Sequence, residues 1–556
     1  MKKISKLYSL FALTAALGLS SCIDEVNPLE NKATAGQIKE NKTALASSVY
    51  GISAQMCQGY LVYGTQEEET DMAYPQLMIA QTELLGDMYP GGSNTGYDWY
   101  LSYNALGSDD IGPNSTNAFL PWYTLYKFVK SANAIIGLVD INDKNTSDEA
   151  KGYAGVAYTC RAFDYFMLMS FYEPTENIYT DVSNVKGLTV PIITEQTTQA
   201  QAKNNPRATH EKMVEFILSD LDKAEACLSS FEPDSRMMPN LAVAYGVRAK
   251  VYMWNKDFAN AAKYARMAID AAEEQECTPM TESEWTDPAT GFAKACSSWM
   301  WYTHYSPENM GNLCNLTGWL SNEAQWSYSS LSQPVIDRSL YDKIGETDFR
   351  KHVFVDPKRY EYYNYKTSID KDYITKNLPD YASLKFRCLN GDYNNYSVGG
   401  AIDVPIMRIE EMYFIEALAT AESADGGLNE GKKLLNTFMK TYRDPNFQSK
   451  ASTLREFELE LIDQMRIEFW GEGNAFPLAK QFKVGVMQNY EGVNDLQGDA
   501  DGVLKINCKD IKPNWNFVIP TQEIQSNVAL EGKNNPNPTD CVKYPSTPGV
   551  YAPAKK

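Results

Sequence analysis

The chain has 556 residues, 44% hydrophobic and 22% charged, the composition of a globular protein long enough to bury a large core. Its formal net charge of −20 argues against nucleic acid, because neutralising phosphates requires an excess of Lys and Arg. The same charge argues against passive adsorption to an anionic membrane and points to a neutral or cationic ligand.

The first residues offer a covalent route to a membrane. Lys2, Lys3 and Lys6 form a positive segment, and Leu7 to Leu19 form an apolar one too short to span a bilayer. Leu19-Ser20-Ser21-Cys22 follows and resembles a bacterial lipobox. That resemblance implies a signal peptide over 1–21, acylation of Cys22 and a lipidated tether over 22–40. Several acyl chains on one residue anchor stably where one would not. Asp24 and Glu25 resemble the acidic export tag of surface-exposed Bacteroidetes lipoproteins, which implies an outer-membrane location facing the cell exterior.

From Asn41 the pattern is helical, and residues 41–275 read as one scaffold. Pro121 is placed for the first turn of a helix through Ile136, and a second runs from about Ala150 to Phe171, stopped by Pro174. After a short extended run at Gly187–Ile192, Met213 to Ser229 form another helix. The strongest pattern is Leu241 to Ala272. Tyr245, Ala249 and Tyr252 share one helix face and Ala261, Ala265 and Ala268 another, with a turn at Trp254–Asp257. Small residues admit a close neighbour and bulky ones fill the opposite side, as in a tetratricopeptide (TPR) hairpin. One hairpin cannot bury its own faces, so companions are expected.

Periodicity collapses over 276–400, where Gly, Pro, Asn and aromatic residues are dense. A long irregular stretch inside a large protein is functional or disordered, and its aromatic content argues for function. Helices return over 401–490, at Ile406–Ser423, Leu428–Tyr442 and Thr453–Trp470, with Gly471 as a cap. Residues 491–556 are loop-rich, apart from Asn516 to Ile524, an extended run closed by a turn. The nine Cys beyond Cys22 are odd in number and scattered, so they form no disulfide framework. There is no C-x-x-C and only three His, so neither a metal nor a cofactor is expected. Gly498–Gly502 lacks the later Glu of a calcium loop.

The order of elements is similar to that of the SusD/RagB family, the surface lipoproteins of Bacteroidetes nutrient uptake. The resemblance rests on the lipobox, the Trp122-to-Asn133 helix, Arg161-Ala162-Phe163, Gly187-Leu188 through Pro191, and Pro206-Arg207-Ala208-Thr209 before the TPR hairpin. It continues with Pro405-Ile406-Met407-Arg408, Arg466-Ile467-Glu468, Gly471-Glu472-Gly473 and Ile519 through Asn527. Asn474 and Pro477-Leu478 depart from the family pattern at scaffold positions. The resemblance implies a mainly α, SusD-like fold with a TPR scaffold and a looser ligand-binding half. It also implies non-catalytic glycan capture for a SusC-like TonB-dependent outer-membrane transporter. Peptide capture, as in some relatives, and a TPR protein-interaction scaffold are the alternatives.

Sugar rings stack their C–H faces on aromatic rings and present hydroxyls to polar side chains, so a glycan site combines exposed Trp and Tyr with Asn, Asp, Gln or Arg. Two stretches fit. The first, residues 86–104, offers Asp87, Tyr89, Trp99 and Tyr103. The second, residues 299–328, offers Trp299, Trp301, Trp319, Trp326 and Tyr328, interleaved with Asn309, Asn312, Asn315, Asn322 and Gln325. Trp122, Trp254 and Trp470 lie on helices and read as core, and the Tyr360–Tyr365 run reads as sheet or interface surface. Glu282, Glu284, Asp287, Glu308 and Glu323 surround the second cluster without a glycosidase motif, so no enzyme is expected.

Overall fold

The computed structural model describes residues 42–91, 97–104, 109–311, 313–358, 366–488 and 507–540. The signal segment, Cys22, Asp24, Glu25, Asn312, the Tyr360–Tyr365 run and Gly498–Gly502 lie outside the described residues. The chain divides into two units, residues 1–47 and 48–556. Of the first, residues 42–47 are described and are helical.

The fold is mainly α. Helix α1 (Lys42–Gln55) is followed by α2 (Tyr74–Leu84) and the short strand β1 (Met88–Pro90). Five long helices come next: α3 (Thr116–Ile136), α4 (Asp148–Tyr172), α5 (His210–Leu228), α6 (Leu241–Trp254) and α7 (Phe258–Glu273). From α4 to α7, each packs on the one before it. Each of the five also starts at a residue whose side chain accepts an otherwise unpaired backbone N–H: Ser115, Ser147, Thr209, Asn240 and Asp257. Such caps contribute about 1 kcal/mol apiece.

The α6–α7 hairpin has the predicted faces. Ala249, Ala261, Ala265 and Ala268 are buried, while Tyr245 and Tyr252 close on Tyr264 at 5.9 and 5.5 Å. One expectation fails upstream. Pro121 sits inside α3, not in its first turn. Proline lacks an N–H, so the Asn117 carbonyl loses its helical donor. The Tyr103 hydroxyl donates to that carbonyl at 3.2 Å.

After α7 the chain leaves the helical stack. It builds β2 (Trp299–His304), the short helix α8 (Leu316–Leu320) and β3 (Pro334–Ile336), then returns through β4 (Asp403–Arg408). Residues Ile406 to Arg408, expected as helix, are strand, because they pair antiparallel with β2. Helix α9 (Ile409–Glu422) then packs on α7, followed by α10 (Leu428–Tyr442) and α11 (Leu454–Glu468). Arg266 on α7 and Glu416 on α9 pair at 2.8 Å. The irregular region is thus an insertion between helices that pack as neighbours. Close approach continues in α10, where a Cβ on Gly431 would lie 2.5 Å from the Ala421 Cβ. Near the C-terminus Phe517 stacks on Phe171 at 4.7 Å. The expected extended run stops at Pro520, where Thr521–Ser526 forms a helical turn.

A buried ionic cluster fastens the insertion to the returning helices. Glu468 accepts from Arg350 Nη1 (3.0 Å), Arg408 Nη1 (3.1 Å) and Arg443 Nε (2.8 Å). Glu472 accepts from Arg408 Nε (2.8 Å) and Lys385 Nζ (2.6 Å). Asp348 and Glu410 take the remaining donors of Arg350 and Arg443 at 2.7 and 2.9 Å. Four cations therefore meet four carboxylates out of contact with water, the condition under which buried charge is tolerated.

Candidate functional site

The two aromatic stretches meet. Strand β1 pairs antiparallel with β3, with Met88 opposite Ile336 and Tyr89 opposite Val335. That register delivers the turn Trp99–Asn104 beside the segment carrying Trp319 and Tyr328. Trp319 and Tyr328 stack at 4.6 Å with 23° between the rings. Trp99 closes on them at 5.6 and 5.1 Å, and Tyr97 stacks on Tyr328 at 6.2 Å. Below, Tyr100 meets Trp319 edge-on at 5.1 Å. Trp99 and Tyr97 are each 38% exposed and Tyr328 is half-buried, whereas Trp319 is only 4% exposed. The result is an open aromatic shelf on a packed base. The indole N–H of Trp319 has no acceptor among the described residues.

Asn315 positions the base. It caps α8 by accepting the Gly318 N–H at 2.9 Å, which fixes the turn that carries Trp319. Under Trp99, Asp98 accepts the Leu101 N–H at 3.2 Å, and the Glu83 carboxyl faces Asp98. Burial, reinforced by the neighbouring Asp98, pushes Glu83 well above the usual carboxylate range. Glu83 also accepts from Asn104 Nδ2 at 3.1 Å, and Asn104 accepts from Lys512.

A cleft of about 780 Å³ opens on the Trp99 side of the shelf. Its walls are residues 66–70, Asp98, Trp99, Ser102, Asp109, Asp110 and residues 114–117.

Comparison with known proteins places this architecture. Residues 60–253 match the SusD-like family model described as starch-binding associating with outer membrane. The SusD-like protein P38 of Formosa agariphila is 26% identical over 159 residues, a match that spans 28% of each chain. The fold of a SusD-like carbohydrate binding protein from Bacteroides vulgatus superposes with a TM-score of 0.67 at 16% identity, covering 89% of this chain and 98% of that one. A laminarin binding SusD-like protein gives 0.56 at 16% identity, with 89% and 98% covered. The fold is SusD-like. The family it matches is one of outer-membrane-associated binding proteins, and no helix among its described residues is long and apolar enough to cross a membrane.

Several expected site residues do other work. Trp299 and Trp301 are fully buried on β2, where Trp299 lies 6.5 Å from the Phe292 ring. Trp301 packs edge-on against Phe163 at 5.1 Å and donates to the Met237 carbonyl at 3.2 Å. Asp87 is buried and receives Arg466 Nε at 2.9 Å, so its charge is already matched. Tyr89 is buried with Val335, Val355, Ile374 and Leu384. Tyr103 is buried against Phe517 at 6.1 Å and serves the Pro121 carbonyl gap. Trp326 is half-buried and packs on Gly399, where a Cβ would come within 2.7 Å of its ring. Trp99, Trp319 and Tyr328 are the expected residues that the fold assembles into the shelf.

The expected polar rim is largely structural too. Asn322 donates to the carbonyls of Pro334 and Ser383 at 2.8 and 2.9 Å, and Asn309 accepts the Ser306 N–H at 2.6 Å. Among the acids, Glu323 pairs with Arg387 at 2.9 Å in the interior and Glu284 completes a capping box with Thr281. The polar wall beside the shelf comes from residues 66–70 and 109–117, which the sequence reading missed. The Glu67-Glu68-Glu69 run was the visible signal.

Proposed function

We propose that this chain is a non-catalytic cell-surface glycan-capture lipoprotein that stacks sugar rings on the Tyr97–Trp99–Tyr328 shelf. It hands oligosaccharides to a SusC-like TonB-dependent transporter, and it is held to the outer membrane through acyl chains on Cys22. The observation that carries the reading is a pair of large aromatic side chains left 38% exposed over a packed aromatic base, at the edge of a cleft. The laminarin-binding neighbour supports a polysaccharide as the ligand class.

Affinity electrophoresis against a polysaccharide panel that includes laminarin tests the reading. Retardation by at least one glycan is expected, and Trp99→Ala should abolish most of it without moving the unfolding midpoint. Stacking on one ring contributes about 1–2 kcal/mol, so affinity should fall roughly tenfold. Binding that survives loss of both Trp99 and Tyr328, or retention of peptides but no glycan, would refute the assignment. Mass spectrometry of the mature N-terminus checks the anchor at Cys22.

A further inference from the structure

We infer that the cleft beside the shelf sorts glycans by charge, favouring sugars that carry protonated amino groups and rejecting uronic or sulfated ones. This rests on the glycan-capture reading above and adds the ligand's chemical class to it. Glu67, Glu68, Glu69, Asp98, Asp109 and Asp110 line the cleft, and no Lys, Arg or His stands among its described lining residues. One feature besides charge marks it as ligand-facing. Trp99 belongs to both the shelf and the cleft wall, so a ring stacked there has its neighbours against the acids.

The carboxylates are crowded enough to act on one another. Burial and then Glu68 push Glu69 above its ordinary value, and burial raises Asp98. They do not converge on a point: among the described residues, no group of three His, Cys, Asp or Glu could hold a metal ion. Negative charge spread along a wall suits an extended ligand with repeated positive groups better than a single cation. A cleft lined by one sign of charge also focuses its potential, so each added anionic sugar is repelled again. Single exposed pairs are weak, but a polymer engages several together.

The test uses the full chain against laminarin (neutral), chitosan oligomers (protonated amines), and pectate and heparin (anionic). Chitosan is expected to bind at least as tightly as laminarin, losing its advantage between 50 and 500 mM salt, while the polyanions fail to bind. The triple variant Glu67→Gln/Asp109→Asn/Asp110→Asn should lower the chitosan-to-laminarin affinity ratio on the order of tenfold. The exposed control Glu274→Gln/Asp425→Asn/Glu531→Gln should leave that ratio where it was. Pectate or heparin binding more tightly than laminarin, or equal shifts from both triple variants, would overturn the charge-sorting inference alone. Failure of every glycan to bind would overturn the capture reading and this inference with it.

Discussion

Replacing Glu468 by Gln keeps shape and removes one charge from the buried cluster. The Oε2 atom accepts from Arg350 Nη1 at 3.0 Å and Arg443 Nε at 2.8 Å; Oε1 accepts from Arg408 Nη1 at 3.1 Å and Arg443 Nη2 at 2.9 Å. A Gln amide keeps one acceptor oxygen and turns the other into a donor, so two of these four bonds become donor against donor. Charge-assisted bonds contribute about 1.5–3 kcal/mol each, and breaking a buried ion cluster from one side costs about 3–5 kcal/mol. Glu472, Asp348 and Glu410 still neutralise part of the excess positive charge, so a loss near 3–5 kcal/mol at pH 7 is expected. Urea unfolding followed by Trp fluorescence measures it. Burial alone would raise the Glu468 carboxyl, but Arg443, Arg408 and Arg350 outweigh burial and hold it well below the usual range. With the folded pKa below the unfolded one, the carboxylate's stabilisation is complete above the unfolded value and is lost as pH falls toward the folded one. The Gln variant should therefore approach the parent in acid. A deficit under about 1 kcal/mol at pH 7, or one that does not shrink below about pH 4, would refute the cluster as the fastening of the inserted region.

Two further titrations run in opposite senses. His210 contacts Glu173 at 2.9 Å and Asn255 at 2.9 Å, and the hydrogen bond to Glu173 leads the causes that raise it to about 9. Its contribution is complete below the unfolded pKa and disappears as pH rises through about 9, so His210→Gln should cost about 1–2 kcal/mol at pH 6 and little at pH 10. A deficit independent of pH would contradict the ion pair. Asp164 is fully buried on α4, neither of its oxygens has a hydrogen-bond partner among the described residues, and burial pushes it well above its ordinary value. The unfolded chain ionises first, so this residue destabilises the fold progressively as pH rises above about 4. Asp164→Asn should gain about 1–3 kcal/mol at pH 8 and nothing near pH 3, by denaturant unfolding at the two pH values.

What the sequence made legible was what local periodicity encodes. The Ala and Tyr steps of α6 and α7 are repeated every turn, so spacing alone placed their faces. Pro121 and Ile406 defeated local rules because tertiary partners settled them: the Tyr103 hydroxyl donates to the carbonyl that the proline leaves without a helical donor, and β2 recruits the strand carrying Ile406 to a ladder. Aromatic content located the site region without telling shelf from core. Trp299 and Trp319 look alike in sequence, and only their tertiary neighbours separate them: Phe292 beside Trp299, and the Trp99–Asn104 turn and Tyr328 beside Trp319. The acidic wall was unreadable as a site because its residues lie about 30 positions before and 10 positions after Trp99.

The position of the insertion separates the site from the scaffold that carries it. Helices α7 and α9 pack together although some 135 residues separate them, and their joint is made by scaffold side chains such as Arg266 and Glu416. The inserted residues are tied to the rest of the chain by the Glu468 cluster, the β1–β3 ladder and side-chain bonds such as that of Trp301 to the Met237 carbonyl. Shelf residues take no part in those ties, so a change from Trp to another side chain at position 99 alters recognition without loosening the stack. The helical fold itself is shared at 16% identity with a TM-score of 0.67. Ligand chemistry in this fold therefore has to be read from the shelf and the cleft wall, residue by residue, because the helical frame is compatible with many ligands.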